Sequence, residues 1–141
     1  MASENVELAR LLFAAWERGD YSSAEGVHPD VEYVIADGPS PGTWKGLDGL
    51  VEGWRDFLSA WENFRGQAEE YRELDDQRVL VLTTFTGRGK KSGVELGHMR
   101  AKGAVVCHIH DGRVTRQVLY LDRQRALADL GVAPEARSPS S

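Results

Sequence analysis

His108 and His110 stand two residues apart in a β-prone run, residues 104–110, and alternate residues of a strand share a face. Two imidazoles on one face are two of the three protein ligands a catalytic zinc needs, with His98 or Glu95 across a hairpin as the third. The apolar face of that run is Val105, Cys107 and Ile109, which turns both histidines away from any pocket, so the expectation is no metal. His98 lies at the far end of the strand, where Met99 has the inward parity unless a bulge intervenes, and His28 before Pro29 reads as a loop residue. Cys107 lacks a His–Asp pair at a supporting spacing and reads as a small core residue rather than a nucleophile. Gly87-Arg-Gly-Lys-Lys-Ser-Gly93 has the residue types of a phosphate loop but joins two strands, not a strand to a helix. What remains is aromatic: Trp16, Tyr33, Trp54 and Trp61, with Gln117 and Leu119 on one side of the last strand. An apolar surface with a few polar groups suits a flat hydrophobic molecule.

The elements that would position these residues are legible. Ser3 caps a helix whose apolar stripe is Val6, Ala9, Phe13 and Trp16, and Gly19-Asp20 ends it. A short second helix is expected over residues 21–27, a strand over 31–36 and a loop over 37–42. Leu47, Leu50, Val51, Trp54, Leu58 and Trp61 recur at helical spacing, giving a third, strongly amphipathic helix. Strands are expected over 64–74, 78–87, from Val94 to His110, and over 113–121. Asp111-Gly112 between the last two is a type I′ hairpin signal, because both turn positions need positive φ. A short helix over 123–130 is capped by Asp122 and closed by Gly131. Four consecutive strands with hairpin-length links must be antiparallel, and helices can cover only one of their faces, so the class is α+β. Val106, Val114, Val118 and Tyr120 are apolar on the side opposite Val105 and Leu119, which predicts a homodimer through the outer sheet face.

Composition narrows the partners. The 141 residues make most simply one domain, residues 1–131, with a disordered tail over 132–141. A net charge of −5 offers no basic footprint for nucleic acid. No apolar run approaches the ~20 residues that span a bilayer, and no signal peptide is evident. One cysteine excludes an intrachain disulfide and fits a reducing cytoplasm.

Six short motifs occur in order: Asn5-Val-Glu-Leu8, Ala14-Ala-Trp-Glu-Arg-Gly-Asp20, His28-Pro-Asp-Val-Glu-Tyr33, Pro41-Gly-Thr-Trp-Lys-Gly46, Asp111-Gly-Arg-Val114 and Tyr120-Leu-Asp-Arg123. Together, over residues 3–131, they resemble the SnoaL-like branch of the nuclear transport factor 2-like superfamily. The resemblance implies a cone-shaped roll, a strongly curved antiparallel sheet wrapped around three N-terminal helices, and an internal pocket. It also implies an outer face that often dimerises. The superfamily includes ketosteroid isomerase, polyketide cyclases, limonene epoxide hydrolase, dehydratases and non-catalytic binders, so the fold does not settle the chemistry.

Carried over position by position, most of the known catalytic groups are missing. An isomerase-like site puts a tyrosine eight residues before the Asp of the Gly-Asp stop, where Leu12 stands, and a protonated carboxyl where Val105 stands. Each lost oxyanion donor costs ~2.7–4 kcal/mol of transition-state stabilisation. A cyclase-like base would fall on Leu119, and the epoxide hydrolase's Asp-Arg-Asp set cannot be assembled. One carboxylate matches: the isomerase base lies nine residues before the glycine that opens the third helix, and Asp37 is nine before Gly46. It reads either as a general acid/base in an apolar pocket or as an Asx-turn in Asp37-Gly-Pro39. The expected pocket lining is Trp16, Tyr33, Trp54, Val105, Gln117 and Leu119. Two function classes result. One is a binder of a small hydrophobic molecule that acts, without cofactor, as an isomerase, cyclase or dehydratase through Asp37. The other is a non-catalytic ligand-binding or dimeric scaffold protein.

Overall fold

The computed structural model describes residues 4–18, 20, 26–37, 41–59, 61–89 and 98–131. Among these residues three helices and six strands run in the order α1 (Glu4–Glu17), β1 (Val27–Ile35), β2 (Gly42–Lys45), α2 (Gly46–Leu58), β3 (Trp61–Asp75), β4 (Arg78–Gly89), β5 (His98–His110), β6 (Arg113–Tyr120), α3 (Arg123–Leu130). The strands form one curved sheet in the order β2-β1-β6-β5-β4-β3. The class is α+β, as expected.

The consecutive strands β3 to β6 are antiparallel throughout. Asp111 (φ 52°) and Gly112 (φ 75°) supply the two positive dihedrals of the β5–β6 turn. The sheet is nevertheless mixed, because β1 lies parallel to β6, pairing Tyr33 with Gln117 and Ile35 with Leu119. This corrects the all-antiparallel expectation. No short turn links β1 to β6, so local chain geometry does not force that pair to be antiparallel.

Local boundaries also moved. β1 starts at Val27 and includes Pro29, which falls where the β1–β6 register breaks between Val27 and Glu32 and no ladder N–H is needed there. The expected second helix otherwise lies outside the described residues. Gly42–Lys45 pairs with β1 as a short edge strand, and α2 stops at Leu58, so Trp61 opens β3 instead of closing the helix.

Helices α1 and α2 cover one face of the sheet. Leu12, Phe13, Trp16, Leu50, Trp54 and Phe57 bury there against Tyr33, Ile35, Val79, Val81, Val105, Cys107 and Leu119. The opposite face carries a second, smaller core: Leu80, Leu82, Ala104, Val106, Val118 and Tyr120 lie beneath Ala126 and Leu127 of α3. Val114 belongs to the inner core, not the outer face where alternation placed it. The β5–β6 register shifts between His108 and Ile109, and such a bulge reverses the side-chain parity beyond it. The apolar strip that motivated an outer-face dimer is thus covered within one chain, with Val106, Val118 and Tyr120 all buried.

Candidate ligand-binding site

The inner layer is built by close approach. Gly49 and Gly53 sit four apart on one face of α2, and a Cβ at Gly53 would stand 2.8 Å from Tyr33 Cδ2 and 2.9 Å from Trp44 Cδ2. Their small size lets α2 press onto β1 and β2, and Trp54 then stacks on Tyr33 with centroids 5.3 Å apart and planes 23° from parallel. Trp54 meets Trp16 edge-on at 5.0 Å, and Trp16 meets Phe13 at 4.4 Å. In the other direction Trp54 touches Phe57, Phe57 touches Phe64, and Phe64 stacks on Phe85 at 5.5 Å. With Trp44, Trp61 and Tyr71, ten rings join, including every tryptophan and phenylalanine in the chain. Each such pair contributes about 0.5–1.5 kcal/mol beyond area burial.

Beneath the rings the sheet presents two registered rows. One is Tyr33, Gln117, Cys107 and Val79; the next is Ile35, Leu119, Val105 and Val81. Trp16, Tyr33, Trp54, Val105, Gln117 and Leu119, the residues singled out in the sequence, therefore converge on this one layer, and all are buried. Sequence reading missed Trp44, Phe57, Phe64 and Phe85. The signal for Trp44 was present in Gly49 and Gly53, whose i, i+4 spacing clears a ring-sized groove on α2.

The floor is mostly apolar; beside the Tyr33 hydroxyl its polar group is the amide of Gln117, only 1% exposed, whose Nε2 has no hydrogen-bond partner among the described residues. Cys107 beside it is buried, and desolvation pushes its thiol up to about 12, so it carries no thiolate at neutral pH. Burial also raises Tyr71, although the Arg10 guanidinium 4.5 Å above its ring opposes that shift.

Asp37 comes directly after Ala36 at the end of β1. Its Oδ1 accepts the Leu121 N–H at 2.6 Å and its Oδ2 the Asp122 N–H at 3.3 Å. The carboxylate thus ties the end of β1 to the corner where β6 becomes α3. The Asx-turn reading of Asp37-Gly-Pro39 rests on residues 38 and 39, which lie outside the described residues.

His108 lies off the inner layer, half-buried between Arg78 and Arg116, and burial followed by the two guanidiniums lowers its pKa. His110 is exposed and contacts Asp111. Glu95 lies outside the described residues, and so does the third-ligand reading that rests on it. No helix of the described residues is long and apolar enough to cross a membrane.

The profile of the SnoaL-like domain matches residues 9–117. No curated protein sequence matches the chain. Among solved structures, a nuclear transport factor 2-like protein of unknown function from Burkholderia pseudomallei K96243 is 22% identical, covering 90% of this chain and 97% of that one, with a TM-score of 0.74. TerC co-crystallised with polyporic acid is 24% identical over 91% and 98% of the two chains, TM-score 0.73. A protein of ketosteroid isomerase-like fold from Catenulispora acidiphila, in complex with trimethylamine, is 18% identical over 94% and 98%, TM-score 0.67. At these identities the likeness is one of fold.

Proposed function

Because this chain belongs to the SnoaL-like domain family, whose fold is shared by polyketide cyclases and isomerases, we propose that it binds a small, flat, hydrophobic molecule between α1, α2 and the sheet. One observation carries the reading: a continuous aromatic wall faces an apolar floor whose single buried amide, Gln117, is left with an unused donor. The polyporic acid bound by TerC, a neighbour in fold, is consistent with such a ligand class. Trp16, Tyr33 and Trp54 grip the rings, and Val105 and Leu119 form the floor. No metal or cofactor is required, and the setting is cytoplasmic, where Cys107 stays a buried thiol.

Binding should quench tryptophan fluorescence, and Trp54→Ala should weaken binding by about tenfold or more, as removal of one stacking and burial surface does. Undiminished binding by Trp54→Ala overturns the assignment.

A second reading is a cofactor-free isomerase, cyclase or dehydratase with Asp37 as acid/base. Leu12 and Val105 leave a developing enolate unsupported, so turnover would be slow. Once a substrate is found, Asp37→Asn should lower the rate by ~10²–10⁴-fold. Because both Asp37 oxygens accept backbone N–H groups, the same variant should also lose stability if the carboxylate is a clamp. Lost stability with unchanged turnover assigns Asp37 to the clamp alone.

A homodimer through the outer sheet face belongs to the same proposal, on a different patch from the apolar strip. Lys45, Glu32, Arg116, His108, Arg78 and Asp75 form a registered row with one residue from each strand. Reversed against a second copy, the row sets Lys45 on Asp75 and Glu32 on Arg78. A monomer in sedimentation at micromolar concentration overturns it.

A further inference from the structure

Gln117 is the buried amide of the inner layer, and its Nε2, like Thr83 Oγ1 and Trp61 Nε1, has no hydrogen-bond partner among the described residues. It lies on β6 between Tyr33 of β1 and Cys107 of β5, with Leu119 next on the same face. Neither cross-strand neighbour answers the Nε2 donor, and the side chain is 1% exposed, so water does not answer it freely either. A buried donor without a partner destabilises the chain that carries it, and an apolar side chain of similar length would fill the position at no such cost. The amide is therefore a feature that the fold alone does not call for. Its nearest surroundings are a stacked pair, Tyr33 on Trp54, and an apolar floor. A planar ligand lying along that stack would place a ring edge over β6.

We propose that Gln117 is a specificity-determining residue that donates its Nε2–H to a carbonyl oxygen on the rim of a flat aromatic ligand, so that the site takes aryl ketones and quinones in preference to hydrocarbons of the same shape. This rests on the proposed binding of a flat hydrophobic molecule and adds the polar group it carries. Aromatic stacking is indifferent to that group, because every flat ring offers a π-face. Discrimination comes from the amide, since a ligand lacking the acceptor leaves a buried donor unanswered in the complex as well.

The test uses two probes of nearly the same outline, 9-fluorenone, which carries the carbonyl, and fluorene, which has CH₂ in its place. The full chain should bind fluorenone about ten- to a hundredfold more tightly than fluorene, read by tryptophan quenching. Gln117→Met keeps the length and removes the donor. It should reduce the fluorenone preference to near unity by weakening fluorenone binding more than fluorene binding, and raise the thermal midpoint of the unliganded chain. The carbonyl stretch of bound fluorenone, shifted to lower frequency in the parent chain, should return towards its value in hydrocarbon solvent in the variant. If both probes bind but with equal affinity in both chains, the role of Gln117 is overturned and the binding site stands. If neither probe binds, the binding site itself is overturned together with it.

Discussion

His108 shows how a single side chain can be polar, half-buried and outside the site. Alternation along β5 turned it away from the inner layer, as its apolar neighbours Val105 and Cys107 required. What the spacing did not show is its company. The sheet register sets Arg78 on one side and Arg116 on the other, with Asp75 and Glu32 bonded to the far sides of those arginines at 2.9 and 3.2 Å. Burial and the two guanidiniums lower the His108 pKa below its ordinary value of about 6.5. The unfolded chain therefore takes up this proton first as pH falls. Stability is unaffected by His108 well above pH 6.5 and is lost as pH drops through 6.5 towards the lower folded value. The thermal midpoint should decline more between pH 7 and pH 5 in the parent chain than in His108→Asn. Parallel profiles in the two proteins would show that the imidazole is not the group responsible.

Among the elements, α2 and α3 are held by opposite devices. α2 approaches through absence of side chain at Gly49 and Gly53. In an exposed helix Gly→Ala would gain up to about 1 kcal/mol in helix propensity. Here the added methyl meets ring carbons of Tyr33 and Trp44 at 2.8–2.9 Å, and overpacking costs about 1–3 kcal/mol, so the steric term wins. Gly53→Ala should lower stability in chemical denaturation and disturb the Tyr33–Trp54 stack, seen as a changed tryptophan emission; a gain in stability would mean the helix is free to move. α3 is held by polar straps. Asp122 caps it by accepting the Gln124 N–H at 3.0 Å, and Tyr120 donates to Asp129 at 3.0 Å. Arg123 reaches across three strands, donating to Gly103 O at 3.1 Å, Thr83 O at 2.7 Å and Glu69 at 2.9 Å. Glu69 also accepts from Thr84, and those two contacts hold its pKa below the usual carboxylate range.

At the scale of the whole molecule, one sheet separates two cores, and the outer one depends on the last helix. With α3 seated, the outer face offers the charged row, and contacts between copies made by it should weaken with added salt. A chain truncated after Leu121 loses both the lid and the strap, baring Leu80, Val106, Val118 and Tyr120. It should associate more strongly than the intact chain and become insensitive to salt, as apolar contacts are. Sedimentation velocity on both chains at low and at high salt, with circular dichroism to check that the sheet persists, tests this. Association that salt weakens equally in both chains would show that α3 covers no adhesive surface.

What the sequence determined by itself was local or periodic. The α1 stripe, the amphipathic α2, the Asp111-Gly112 turn and the capped α3 arise from spacing and dihedral needs that neighbouring residues satisfy. So does the inward set of Trp16, Tyr33, Trp54, Val105, Gln117 and Leu119, because helix and strand periods sort side chains without knowledge of the partner. The tertiary structure alone decided the parallel docking of β1 on β6, the register shift that sends Val114 inward, and the use of Asp37 to pin a corner 84 residues away. It also decided that α3 would cover the outer strip. Each of these depends on which distant backbone groups and apolar surfaces are brought together when the chain closes, and no short window of sequence encodes that.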